Sequence, residues 1–73
     1  MSSITKELFD EIILHFQTRS KLARLLGVDR SALTNWYKSR IIPPARAIQI
    51  EIISDGAFLA RDIAGVGYDQ SNV

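Results

Sequence analysis

Apolar residues recur along most of this chain at helical spacing, interrupted by residues that stop helices. Leu8, Phe9, Ile12, Ile13 and Phe16 make one stripe, with Lys6, Asp10, Glu11 and Leu14 on the other side. Thr5 stands where an N-cap belongs, and Ile4 before it can pack on Phe9 as a hydrophobic staple. A first helix is therefore predicted from Thr5 until Gln17-Thr18 ends it, and Thr18 caps the next. That second helix is short, about Arg19 to Leu26, with Leu22, Ala23, Leu25 and Leu26 supplying buried positions. Gly27 stops it, because glycine adopts the left-handed conformation without a Cβ penalty.

Asp29 then reads as the cap of a third helix and suits the positive end of its dipole. Val28 and Leu33 sit where a second staple would place them. The inward stripe is Ala32, Leu33 and Trp36; the outward one is Arg30, Ser31, Thr34, Asn35 and Lys38. Pro43-Pro44 opens a fourth helix, since proline fits the first turn. Ala45, Ile48, Ile52 and Ile53 are expected to form its core face before Asp55-Gly56 closes it. Propensity alone would permit a strand over Ile48 to Ile53, but the flanking breakers and the length between them favour a helix. A weaker helical segment spans Ala57 to Ala64, with Phe58, Leu59 and Ile63 as its apolar members. The glycine-rich, polar end, 65–73, is expected to be a loose tail after a single domain over 1–64. The fold class is thus all-α, a compact bundle of about five short helices.

Size and composition narrow the chemistry. At 73 residues, with no cysteine, 47% apolar and 23% charged residues, the chain can bury only about 60% of its unfolded surface. Thiol chemistry and cysteine-ligated metal are excluded, and a reducing compartment suits such a chain. No run approaches the roughly 20 apolar residues of a membrane span, and Met1 to Lys6 lacks the pattern of a secretion signal. The net charge of +1 conceals an uneven distribution. Met1 to Gln17 carries −2 and Ala47 to Val73 carries −3. Between them, Arg19, Lys21, Arg24, Arg30, Lys38, Arg40 and Arg46 face Asp29 alone, giving +6. A basic centre between acidic flanks is the electrostatic footprint of a polyanion partner, with nucleic acid foremost.

The second and third helices together form a more specific pattern. Ala23 is followed four residues later by Gly27, six after that by Leu33 and three further on by Trp36. Ala23 lies where two helices cross, and a bulkier side chain would force them apart. Gly27 makes the turn, and Val28, Leu33 and Trp36 lock the third helix at the steep angle of a helix-turn-helix. One face of that helix is left for the major groove, its amino-terminal residues nearest the base edges.

The segment from Thr18 to Trp36, TRSKLARLLGVDRSALTNW, resembles the DNA-binding motif of phage Cro repressors in the lambda-repressor-like superfamily. Ile42-Pro43, Ile50-Glu51-Ile52 and His15-Phe16 resemble its all-helical branch, and the likeness runs roughly from His15 to Gly56. The resemblance implies a small dimeric repressor that binds operator DNA and helps choose between lytic and lysogenic growth. Lysogeny activators and Cro-like antitoxins, which act partly through protein contacts, share the motif and form the alternative.

Side-chain chemistry assigns roles within this frame. Arg30 can bond guanine O6 and N7 together, Asn35 can read adenine in a bidentate way, and Ser31 and Thr34 can meet a base or a phosphate. Thr18, Arg19, Ser20 and Lys21 gather at a helix start, where free amides favour phosphate. Lys38, Arg40 and Arg46 flank the groove helix as a second phosphate clamp, and Tyr37 is at most a secondary candidate for a place beside the DNA backbone. Trp36 belongs to the core, and His15, a lone histidine, is structural. Phe58, Leu59 and Ile63 are candidates for a dimer interface, although they could instead close over the fourth helix. No phosphate-binding glycine loop, paired carboxylates or nucleophile with a base is present, so catalysis is not expected. The partners expected are double-stranded operator DNA and a second copy of the chain, in a homodimer that could be weak in solution and complete itself on DNA. No metal, cofactor, small-molecule ligand or membrane is expected, and the bacterial cytoplasm is the expected location.

Overall fold

Two threonines set the helix starts in the first half of the chain. In a computed structural model that describes residues 4–65, Thr5 Oγ1 accepts from the Leu8 amide at 3.1 Å and opens α1 (Lys6–His15). Thr18 Oγ1 accepts from the Lys21 amide at the same distance and opens α2 (Arg19–Leu26). Gly27 ends α2 with φ 74°, and the Val28 amide bonds back to the Ala23 carbonyl at 3.0 Å. This return bond satisfies a helix-end carbonyl that would otherwise have no partner. Asp29 takes the extended N-cap conformation before α3 (Arg30–Ser39), but its carboxylate makes no capping bond. The first-turn bond at that end comes from the backbone, Ala32 N–H to the Asp29 carbonyl at 3.0 Å.

Proline opens α4 (Pro44–Ile53), and a short α5 (Ala60–Ala64) follows a turn at Ser54 to Phe58. The isoleucine-rich stretch is helical, as its flanking residues suggested. The last helix begins three positions later than expected, at Ala60. The expected loose tail beyond 65 lies outside the described residues. Among the described residues the fold is all-helical, with α2 packed on both α3 and α4, and α4 on α5.

The core draws on every helix: Ile4, Phe9, Ile12, Phe16, Leu22, Ala23, Leu26, Leu33, Ile42, Ala47, Ile50, Ala60 and Ile63 are buried. Ile4 and Phe9 both enter it, as a staple requires. Three expectations need correction. Leu25 is half exposed, because Leu22 and Leu26 already occupy the face of α2 toward the core. Trp36 is only partly buried and packs on the rim, leaving Leu33 as the buried residue of α3. The core face of α4 is Ala47 and Ile50, while Ala45 is exposed, Ile48 and Ile53 are intermediate, and Ile52 is 63% exposed. Polar anchors fix that phase. Arg46 and Gln49 on one flank of the helix bond the end of α2, and Glu51 on the other accepts from the Ala60 amide at 2.7 Å.

Candidate nucleic-acid interface

The helix-turn-helix puts α3 on the surface with its polar stripe outward. Arg30, Ser31 and Asn35 are exposed, and Thr34 is half-buried. The Thr34 hydroxyl donates to the Arg30 carbonyl at 3.4 Å, so it turns partly into its own helix. Arg30 and Ser31 occupy the first turn of α3, where the backbone amides lack intrahelical partners. The face that would meet base edges therefore carries one planar bidentate donor, one amide and two hydroxyls, the repertoire of direct readout.

The other basic residues of the central segment stand on α2, near and just past the end of α3, and on α4. Thr18, Ser20 and Lys21 are exposed at the start of α2, with Lys21 Nζ donating to Gln17 Oε1 at 2.6 Å. Lys38 is exposed near the end of α3, and Arg40 follows in the left-handed conformation at φ 59°. Arg19 and Arg40 are half-buried and both meet Tyr37, each guanidinium carbon 4.8 Å from the ring centre. Arg40 also donates through Nη1 to the Tyr37 carbonyl. Arg46, expected as a phosphate contact, is tied into the fold: Nη1 donates to the Leu26 carbonyl at 2.9 Å and to Gln49 Oε1 at 2.8 Å.

Sequence reasoning missed the convergence on Tyr37. The spacing of Tyr37 and Arg40 on one helix was visible, but the approach of Arg19 depends on the angle between α2 and α3. Lys6 was likewise overlooked. Its ammonium is held above the ordinary lysine value, first by a hydrogen bond with the Tyr37 hydroxyl and then by the charges of Tyr37 and Asp10. Asp10 lies 3.6 Å from Lys6 Nζ.

The three candidates for a dimer contact are placed differently from one another. Ile63 is fully enclosed within its own chain as part of the core, so the protomer presents no Ile63 surface. Phe58 and Leu59 are half-buried, and the Phe58 ring meets His15 edge-on at 5.2 Å. His15 also meets Phe16 edge-on at 4.8 Å, which fits the structural role expected of it. No group of three metal-ligating side chains gathers among the described residues, and none of the described helices is long and apolar enough to cross a membrane.

Comparison with known proteins supplies the context. The family described as DNA-binding transcriptional regulator Cro matches residues 9–66. A regulatory protein cro of Pseudomonas phage D3 is 30% identical over 57 residues, spanning 77% of this chain and 78% of its own. Among solved structures, the Cro protein from putative prophage element Xfaso 1 in Xylella fastidiosa strain Ann-1 superposes with a TM-score of 0.71. It is 36% identical, and the match covers 75% of this chain and 85% of that one. The matched span contains α2 and α3 whole, together with the basic residues from Arg19 to Arg46.

Proposed function

The chain belongs to the family of the DNA-binding transcriptional regulator Cro, and from that premise we propose that it is a repressor that reads a palindromic operator as a dimer. The observation that carries this reading is the exposed polar face of α3, with Arg30, Ser31 and Asn35 open to solvent within the basic central segment of the chain. In this reading α3 lies in the major groove. Arg30 reads a guanine, Asn35 an adenine, and Ser31 and Thr34 complete the contacts to bases or phosphates. Thr18, Arg19, Ser20 and Lys21 hold one stretch of phosphates, Lys38 and Arg40 another, and Arg46 adds only the N–H groups its structural bonds leave free. A single groove helix reads few base pairs, so two copies about a twofold axis, with half-sites about 10 base pairs apart, supply the discrimination a genome demands. The chain performs no catalysis and acts in the bacterial cytoplasm, where its operator is.

The test is a salt titration of duplex binding. If a dimer touches about eight phosphates, log K falls against log salt with slope roughly −7. Arg30→Ala costs about 1–3 kcal/mol and relaxes preference at one base pair per half-site. A slope near zero would sink the reading.

A further inference from the structure

Arg19, at the first turn of α2, and Arg40, just past the end of α3, lie 21 positions apart in sequence yet share one aromatic ring. With each guanidinium carbon 4.8 Å from the centre of Tyr37, the two cannot be further apart than twice that distance. Like charges this close repel. The negative face of the ring offsets part of the repulsion, as cation–π geometry allows. The ring itself is fixed: Phe9, a buried residue of α1, meets it edge-on at 5.2 Å and an interplanar angle of 78°. Among the described residues the one ion pair is Lys6 with Asp10, so neither arginine has a carboxylate partner. Two cations thus meet at one tyrosine with no carboxylate paired to either, an arrangement suited to an anion from outside.

We infer that Tyr37 is a positioning residue, whose ring sets Arg19 and Arg40 as one preformed clamp for a phosphodiester group. This rests on the DNA-binding reading above and adds to it the residue that organises the clamp. Arg19 stands at the first position of α2, where a helix start favours phosphate. Pre-setting matters because an arginine side chain otherwise loses considerable rotamer freedom on binding. It also explains an aromatic residue at this place: Tyr37 lies half-buried on the rim, where its interior contact is the edge of Phe9.

The experiment measures the salt slope for a random-sequence duplex, so that base readout does not enter. Tyr37→Leu removes the ring face, whereas Tyr37→Phe keeps the face and the Phe9 contact and loses the hydroxyl. Tyr37→Leu is expected to reduce the slope by up to about one per protomer, for the one phosphodiester group the pair holds. Tyr37→Phe should restore most of that slope. In a protein already carrying Arg19→Gln and Arg40→Gln, Tyr37→Leu should change the slope no further, because coupled groups are not additive. An unchanged slope in Tyr37→Leu, or a loss that persists without the arginines, overturns the clamp and leaves DNA binding intact. A wild-type slope near zero overturns the DNA-binding reading and the clamp with it. Should Tyr37→Leu fail to fold, the unmodified protein answers by NMR. The side-chain N–H signals of Arg19 and Arg40, displaced by the ring, should move together as duplex is added, and signals that stay in place overturn the clamp.

Discussion

Arg46 Nη1 donates a hydrogen bond of 2.9 Å to the carbonyl of Leu26, twenty positions earlier, and so joins the first turn of α4 to the last turn of α2. Gln49 supports the same carbonyl through Nε2 at 3.3 Å and reaches that of Leu25 at 3.3 Å. The last carbonyls of a helix have no partner within it, and these lie beside the glycine that turns the chain toward α3. The fourth helix therefore caps the second, and through it fixes the platform from which α3 projects.

This relationship separates two basic residues that look alike in the sequence. Arg46→Ala leaves a half-buried carbonyl with a weaker partner set, and a loss of about 1–2 kcal/mol is expected. Lys38→Ala, on the exposed face of α3, should change stability by less than about 0.5 kcal/mol yet reduce the salt slope of duplex binding by roughly 1 per protomer. Urea unfolding and fluorescence anisotropy on both variants check the assignment. Equal stabilities for the two would show that the Arg46 bond does not hold α4 in place.

The phase of α4 gives a sharper contrast. Ile50 is 1% exposed and Ile52 is 63% exposed, although they stand two residues apart in the same helix. Ile50→Ala should cost about 2–5 kcal/mol through lost burial and the cavity left behind. Ile52→Ala is expected to stay within about 0.5 kcal/mol. Thermal melts of the pair decide it, and a reversed order would restore Ala45, Ile48 and Ile52 as the core face.

What the sequence made legible follows the strength of each local signal. Thr5, Thr18 and Gly27 act through bonds within a few residues of themselves, so both caps and the turn could be located from residue type alone. The stripe of α1 was equally clear, because polar residues border it. In α4, Ile48, Ile50, Ile52 and Ile53 make nearly every direction apolar, and periodicity cannot choose between them. The choice is made by Arg46, Gln49 and Glu51, whose partners lie on α2 and at the start of α5. Leu25 and Trp36 fall to the rim for a similar reason, since a domain this small has room for few side chains per helix. The exposed face of α3 was readable from its polar residues. The gathering of Arg19 and Arg40 on Tyr37 was not, because it depends on how α2 and α3 cross.

Backbone conformation supplies a prediction with two signs. Gly27 has φ 74°, and a Cβ added there would meet nothing within 4 Å. The cost of Gly27→Val is therefore one of backbone rather than of collision, about 1–2 kcal/mol for a β-branched residue at positive φ. Gln17 occupies the same region at φ 83° without being glycine. Gln17→Gly should relieve that cost and raise stability by up to about 1 kcal/mol, less whatever the exposed bond from Lys21 contributes. Denaturation midpoints that move in opposite directions are the expected result. A Gln17→Gly variant that is clearly less stable would mean that the contact with Lys21 outweighs the conformational gain.

Self-association is the last expectation, and the placement of three side chains sharpens it. With Ile63 enclosed in its own core, Phe58 and Leu59 are left of the three candidates for a dimer contact, both half-buried at the turn before α5. Two such residues per protomer make a small apolar patch, well short of the buried area typical of permanent dimers. A dimer that is weak in free solution and completed on a palindromic site is what such a patch supports. Sedimentation at rising concentration should show a monomer that associates only at the upper end, and Phe58→Asp should abolish even that. On an operator selected from random sequence, the unmodified protein should bind two copies together, and Phe58→Asp should bind them singly and more weakly. The Phe58 ring also touches His15, so a melting curve on the variant must first show that the fold survives. A folded Phe58→Asp that still binds two copies cooperatively would move the contact elsewhere. A protein that stays monomeric at every concentration and loads its operator one copy at a time would refute dimerisation altogether.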